Sequence, residues 1–143
     1  MPLVRISLLK GKPAAHVRAI ADSVHRALVD VYSVPADDRF QLIHQHEADE
    51  IIFDADYLGV HRTSDVVFIH ITAINWRDTA TKQGLYRRLV QLLADDPGLR
   101  PDDVQVILSP NGRDDWYFGK ALAASVEAGI PGLSASHRSS PAA

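Results

Sequence analysis

The sequence predicts an α/β protein of the α+β kind, a duplicated β-α-β unit forming a four-stranded sheet with two helices on one face. Three observations point there. Strand-like apolar runs at Leu3–Leu9 and Val66–Ile74 are each followed by a stretch with helical apolar spacing. The segment PADDRFQLI, from Pro35, returns as RPDDVQVIL, from Arg100, at an offset near 65 residues. Parallel strands joined by one crossover helix take a right-handed connection, and two such units can pair into one sheet.

Leu3–Leu9 alternates apolar and polar residues, and GKP marks its end. From Ala14 to Tyr32 the apolar positions Val17, Ile20, Ala21, Val24, Ala27, Leu28 and Val31 repeat at helical spacing and fall on one face. Ser33-Val34-Pro35 stops this helix, and Arg39–His46 reads as a second strand. Val66–Ile74 is almost continuously apolar and rich in β-branched residues, the pattern of a central strand buried on both faces. Asp78 can cap the next helix, whose Leu85, Leu89, Leu92 and Leu93 share a side before Asp96-Pro97-Gly98 ends it. Val104–Leu108 is the fourth strand, and Ser109-Pro110-Asn111-Gly112 reads as a turn.

The 143 residues fit one domain, expected over 1–133 with halves at about 2–62 and 63–120 and a disordered tail at 134–143. A net charge of −3 gives no basic field for nucleic acid and no polybasic signal for a membrane. No run approaches the roughly 20 apolar residues of a bilayer span, and Arg5 and Lys10 interrupt any signal-like start. Cysteine is absent, which removes disulfides, thiolate metal sites and a cysteine nucleophile, and the expected location is cytoplasmic. With both helices on one face, the other face of the sheet is left bare and apolar. A homo-oligomer, a ring of subunits, is expected to cover it.

Pro2 raises the chemical question. Within a chain it has no N–H for a ladder and suits the first position of a strand. After removal of Met1 it would instead carry a free secondary amine, able to transfer protons or form imines. Other signals are set aside. His44 and His46 share one side of a strand at a spacing that can bind a metal, yet no third ligand is signalled and no metal is expected. His70, flanked by core residues, reads as an interior histidine, and no phosphate loop or Gly-x-Ser-x-Gly motif is present.

Four stretches in order carry a specific likeness: MPLVRISLLKG, VPADDRFQLIHQH, KQGLYRRLVQLL and PDDVQVILSPNGRDDWYFG. Over about Pro2 to Lys120 the chain resembles the tautomerase superfamily, in its malonate semialdehyde decarboxylase-like branch. The resemblance implies a β-α-β homotrimer with the N-terminal proline at the floor of a pocket. It further implies cofactor-independent acid or base chemistry by that proline on a small 2-oxo or 3-oxo carboxylic acid. Asp38 matches the aspartate that orients a water or holds the proline's proton; read by itself it is also a turn aspartate, repeated as Asp103, which is expected to be structural. Arg77 matches the second arginine of a carboxylate-gripping Arg-x-Arg pair, a role favoured over a solvated ion pair with Asp78 because its strand runs beside the Pro2 strand in the expected sheet.

Asn75 stands where the first arginine of that pair is found, so one cationic grip is missing. This weighs against decarboxylation or hydration and toward keto–enol tautomerisation with a single carboxylate anchor. Trp76 would suit an aromatic substrate. Trp116, in DDWYFG, is a further binding residue by resemblance, although aromatics at alternate positions also serve packing. A non-catalytic trimeric binding protein of the same fold is the alternative from another class.

Overall fold

A computed structural model describes residues 1–119, and the expectations for residues 120–143, including the domain end at 133 and the tail at 134–143, lie outside them. The chain forms β1 (Pro2–Leu9), α1 (Ala14–Tyr32), β2 (Gln41–His46), β3 (Val67–Ile74), α2 (Thr79–Asp95) and β4 (Val104–Asn111). Single 3-10 turns lie at Tyr57–Gly59, Pro101–Asp103 and Arg113–Asp115. The four strands make one sheet in the order β2-β1-β3-β4. β1 and β2 are parallel, β3 and β4 are parallel, and β1 and β3 meet antiparallel at the centre. This is the duplicated β-α-β sheet, and an offset of about 65 residues carries Pro2–Leu9 onto Val67–Ile74.

The strand pleat sends alternate side chains to opposite faces. Val4, Ile6 and Leu8 of β1 and Val67, Ile69 and Ile71 of β3 are buried against Ile20, Val24 and Leu28 of α1 and Leu85, Leu89 and Leu93 of α2. Each such side chain contributes roughly 1.5–3 kcal/mol on burial. α1 stops at Ser33, whose left-handed backbone (φ 56°) lets its N–H reach the Leu28 carbonyl. α2 starts at Asp78, whose carboxylate accepts from the Thr81 N–H at 2.8 Å.

Three expectations are corrected. β3 is not buried on both faces, because its pattern alternates: Phe68, His70 and Thr72 are only half-buried. The open face is also not simply apolar. Register places Leu3, Leu42, Phe68 and Ile107 on it together with Arg5, Ser7, His44, His70 and Gln105. A continuous apolar run cannot reveal which of its two faces a second layer covers. β4, third, extends to Asn111 through the Ser109-Pro110 pair that reads as a turn. As an edge strand it tolerates proline: Asn111 turns its carbonyl to the Asn75 N–H (2.8 Å), so the preceding residue faces outward, where no ladder N–H is needed.

Candidate active site

The topology gathers four segments at one end of the sheet. Antiparallel pairing sets Pro2 opposite Ala73, so the start of β1 adjoins the end of β3. Parallel pairing of Val4 with Gln41 brings the Pro35–Phe40 turn beside the chain start, and pairing of Ile74 with Asn111 adds the end of β4. Pro2 is buried there. With Met1 in place its nitrogen is an amide, and the free amine belongs to Met1, 3.5 Å from Asp38 Oδ2. Burial pushes this amine below its ordinary value of 8.0; Arg77 nearby acts in the same sense and Asp38 opposes it. Asp38 is held by a turn in which its N–H bonds the Pro35 carbonyl at 3.0 Å.

Arg77 lies just past β3 and is only 8% exposed. Its guanidinium is sandwiched between the rings of Tyr32 and Trp76, each centroid 4.1 Å from Cζ. Nη1 donates to the Ile74 carbonyl (3.2 Å) and Nη2 to the Tyr32 carbonyl (2.8 Å), while Nε is buried without a partner. The ion pair with Asp78 does not form, because Asp78 caps α2 instead. Burial lowers Arg77 to about 10, still cationic at neutral pH. The same burial raises the Tyr32 phenol, against the pull of Arg77, so it stays neutral. A buried charge without a carboxylate is costly and leaves a site that favours an anion.

A small cavity of about 20 Å³ adjoins Arg77, bounded by Tyr32, Ala73, Asn75, Lys82 and Pro110 among others. It has room for about one water. Asn75 is therefore brought to Arg77, whereas Trp76 spends one ring face on the guanidinium. Trp116 stacks on Phe118 (5.4 Å between centroids, 6° between planes) and donates Nε1–H to Asn111 Oδ1 at 2.7 Å. Phe118 in turn meets Phe40 at 6.4 Å, so the segment after β4 crosses this end of the sheet toward the start of β2. Tyr32 and Lys82 are not singled out by the sequence. Tyr32 reads there only as the last turn of an amphipathic helix, and a lysine in a first helical turn carries no motif.

Asp103, equivalent to Asp38 in the second half, is buried and takes the Thr63 N–H (2.6 Å) and hydroxyl (2.8 Å). It anchors the linker between the halves, as its structural reading anticipates. His70 Nε2 lies 2.6 Å from the Ser109 hydroxyl across the β3–β4 pair. Among the described residues no helix is long and apolar enough to cross a membrane.

Fold and site together define a class: small α/β proteins in which a chain terminus, a carboxylate and a buried guanidinium meet at one end of a duplicated sheet. Two family models, both described as tautomerase enzyme, match residues 38–119 and 2–61. The chain is 35% identical over 127 residues to "Probable tautomerase YusQ" of Bacillus subtilis (strain 168), covering 89% of this chain and 100% of that one. It is similar to a solved structure of FG41 malonate semialdehyde decarboxylase inhibited by 3-bromopropiolate, at 37% identity and TM-score 0.81 over 88% of this chain and 95% of that one. A second malonate semialdehyde decarboxylase structure, described as a basis for decarboxylase and hydratase activities, shows 33% identity and TM-score 0.79 over 86% and 97%. The chain belongs to the tautomerase family.

Proposed function

We propose that this protein is a cofactor-independent keto–enol tautomerase acting on a small 2-oxo or 3-oxo carboxylic acid through the amine of Pro2, freed by removal of Met1. The carrying observation is Arg77, a buried guanidinium that meets carbonyls and ring faces but no carboxylate, close to the chain terminus. In this reading Arg77 holds the substrate carboxylate and offsets charge on the enolate. The neutral Pro2 amine takes a proton from the carbon beside the oxo group and returns it to the enolate oxygen, so the net change is an isomerisation. Asp38 accepts a hydrogen bond from the protonated amine in between. Desolvation at the terminus supports the base role, since it favours the uncharged amine.

Decarboxylation or hydration of a 3-oxo acid is the second reading, favoured by the 37% identity to a malonate semialdehyde decarboxylase. Asn75 ranks it below tautomerisation. The open, half-apolar sheet face supports a homotrimer as the working assembly.

The test is an intact mass followed by loss of enol absorbance with phenylpyruvate. A chain with Met1 removed is expected to turn over, and the same chain carrying a short N-terminal extension is expected to lose about 100-fold or more, the scale of general base catalysis. Equal rates for the two forms would exclude the amine. If Met1 is retained in the native protein, the non-catalytic binding reading takes precedence.

A further inference from the structure

Tyr32 meets the Arg77 guanidinium twice. It is the last residue of α1 and only 2% exposed; its ring centroid lies 4.1 Å from Cζ, and its carbonyl accepts from Nη2 at 2.8 Å. Trp76, half-buried, supplies the second ring at the same distance, and the Ile74 carbonyl accepts from Nη1 at 3.2 Å. Ring faces fix the plane of a guanidinium, and carbonyls fix its rotation within that plane. The four contacts therefore hold one orientation. A long side chain that is ordered before its ligand arrives loses less freedom on binding, and that raises affinity without a new contact. The pairing also spans the duplication, since 45 residues separate Tyr32 from Arg77.

We propose that Tyr32 is a positioning residue for carboxylate recognition, whose ring and carbonyl hold Arg77 in the orientation that receives the anion, with Trp76 as the opposing wall. The inference rests on the proposed function, in which Arg77 anchors the substrate carboxylate. Tyr32 acts through Arg77 and does not touch the substrate. A ring face is what the position requires, so the phenol hydroxyl is dispensable. An aliphatic side chain there keeps the site apolar but frees the guanidinium, and affinity falls with the fraction of time spent in the competent orientation. The loss is selective for charge, because a neutral ligand depends less on the guanidinium.

The experiment is titration calorimetry of pyruvate and of its neutral amide, pyruvamide, with the wild-type protein, Tyr32→Phe, Tyr32→Leu, Trp76→Leu and Arg77→Met, each checked for folding by circular dichroism. Tyr32→Leu is expected to weaken pyruvate roughly tenfold, as for a competent orientation populated about a tenth of the time. Pyruvamide should weaken far less, and Tyr32→Phe should recover the pyruvate affinity. Trp76→Leu removes the other ring from a half-buried position and is expected to act in the same sense; it decides the question if Tyr32→Leu does not fold. Wild-type pyruvate affinity in the deciding variant overturns the inference, as do equal losses for the two ligands or a Tyr32→Phe protein as weak as Tyr32→Leu. Arg77→Met separates this inference from the reading beneath it. Loss of pyruvate in Arg77→Met but not in Tyr32→Leu leaves the anchor standing and removes the positioning role alone. Wild-type pyruvate affinity in Arg77→Met, or no preference of the wild type for pyruvate over pyruvamide, overturns both.

Discussion

Arg77 carries its charge into the interior with two carbonyl oxygens and two aromatic faces to meet it. A side chain placed for stability alone would not be charged there, because a hydrophobic residue of similar size avoids the desolvation cost. Arg77→Met is therefore expected to leave the urea midpoint unchanged or higher while abolishing carboxylate binding, a separation that equilibrium unfolding and titration read independently. Asp103 gives the opposite outcome. Asp103→Ala strands the half-buried Thr63 N–H and should cost about 1–3 kcal/mol in urea unfolding with kcat and KM intact. The terminal amine contributes a pH dependence of defined sign. Its folded value lies below 8.0, so between the two values the unfolded chain binds the proton more tightly, and stability rises with pH through that window. A general base also gains activity as pH rises through its pKa, which a kcat/KM profile against pH reads directly. The sequence reaches Arg77 and Asp38 through motif resemblance, but a lone lysine or tyrosine gains meaning only when a cavity has walls, which no linear pattern describes.

At the scale of the elements, both helices hold the sheet through narrow apolar stripes. Leu89 lies at the middle of α2 with no exposed surface. Leu89→Ala should lose about 2–5 kcal/mol, measured by denaturant titration, because neighbours packed from two layers cannot close the void. Strand and helix starts are legible in the sequence because apolar period and cap chemistry coincide there, as at Asp78. The end of β4 is not, since a proline on an outward-facing edge position reads locally like a turn. β3 shows the complementary difficulty: Phe68 and His70 sit between buried residues in sequence and yet face away from the helices. Phe53, in the long connection after β2, makes an edge contact with Phe68 at 6.4 Å, which is the cover that the chain itself supplies at that end of the face.

For the whole molecule, the open sheet face is the surface through which the proposed trimer would form. Ile107 is 48% exposed in the middle of β4 on that face. Ile107→Glu should leave a monomer folded but convert the proposed trimer to lower mass by light scattering, because a carboxylate cannot be buried there without a partner. The duplication itself is plain in the sequence through PADDRFQLI and RPDDVQVIL, since turn chemistry and strand pattern recur together. What distinguishes the halves is visible only in three dimensions. Asp38 and Asp103 both receive nitrogen from just upstream of a strand, the chain-terminal amine in one case and the Thr63 amide in the other. Copying a segment copies its side chains but cannot copy a chain end. Val67 stands where Pro2 stands but lies mid-chain, so under the proposed function the second half has the scaffold of the site without a chain-terminal amine. Its aspartate has been left to splice the two copies together.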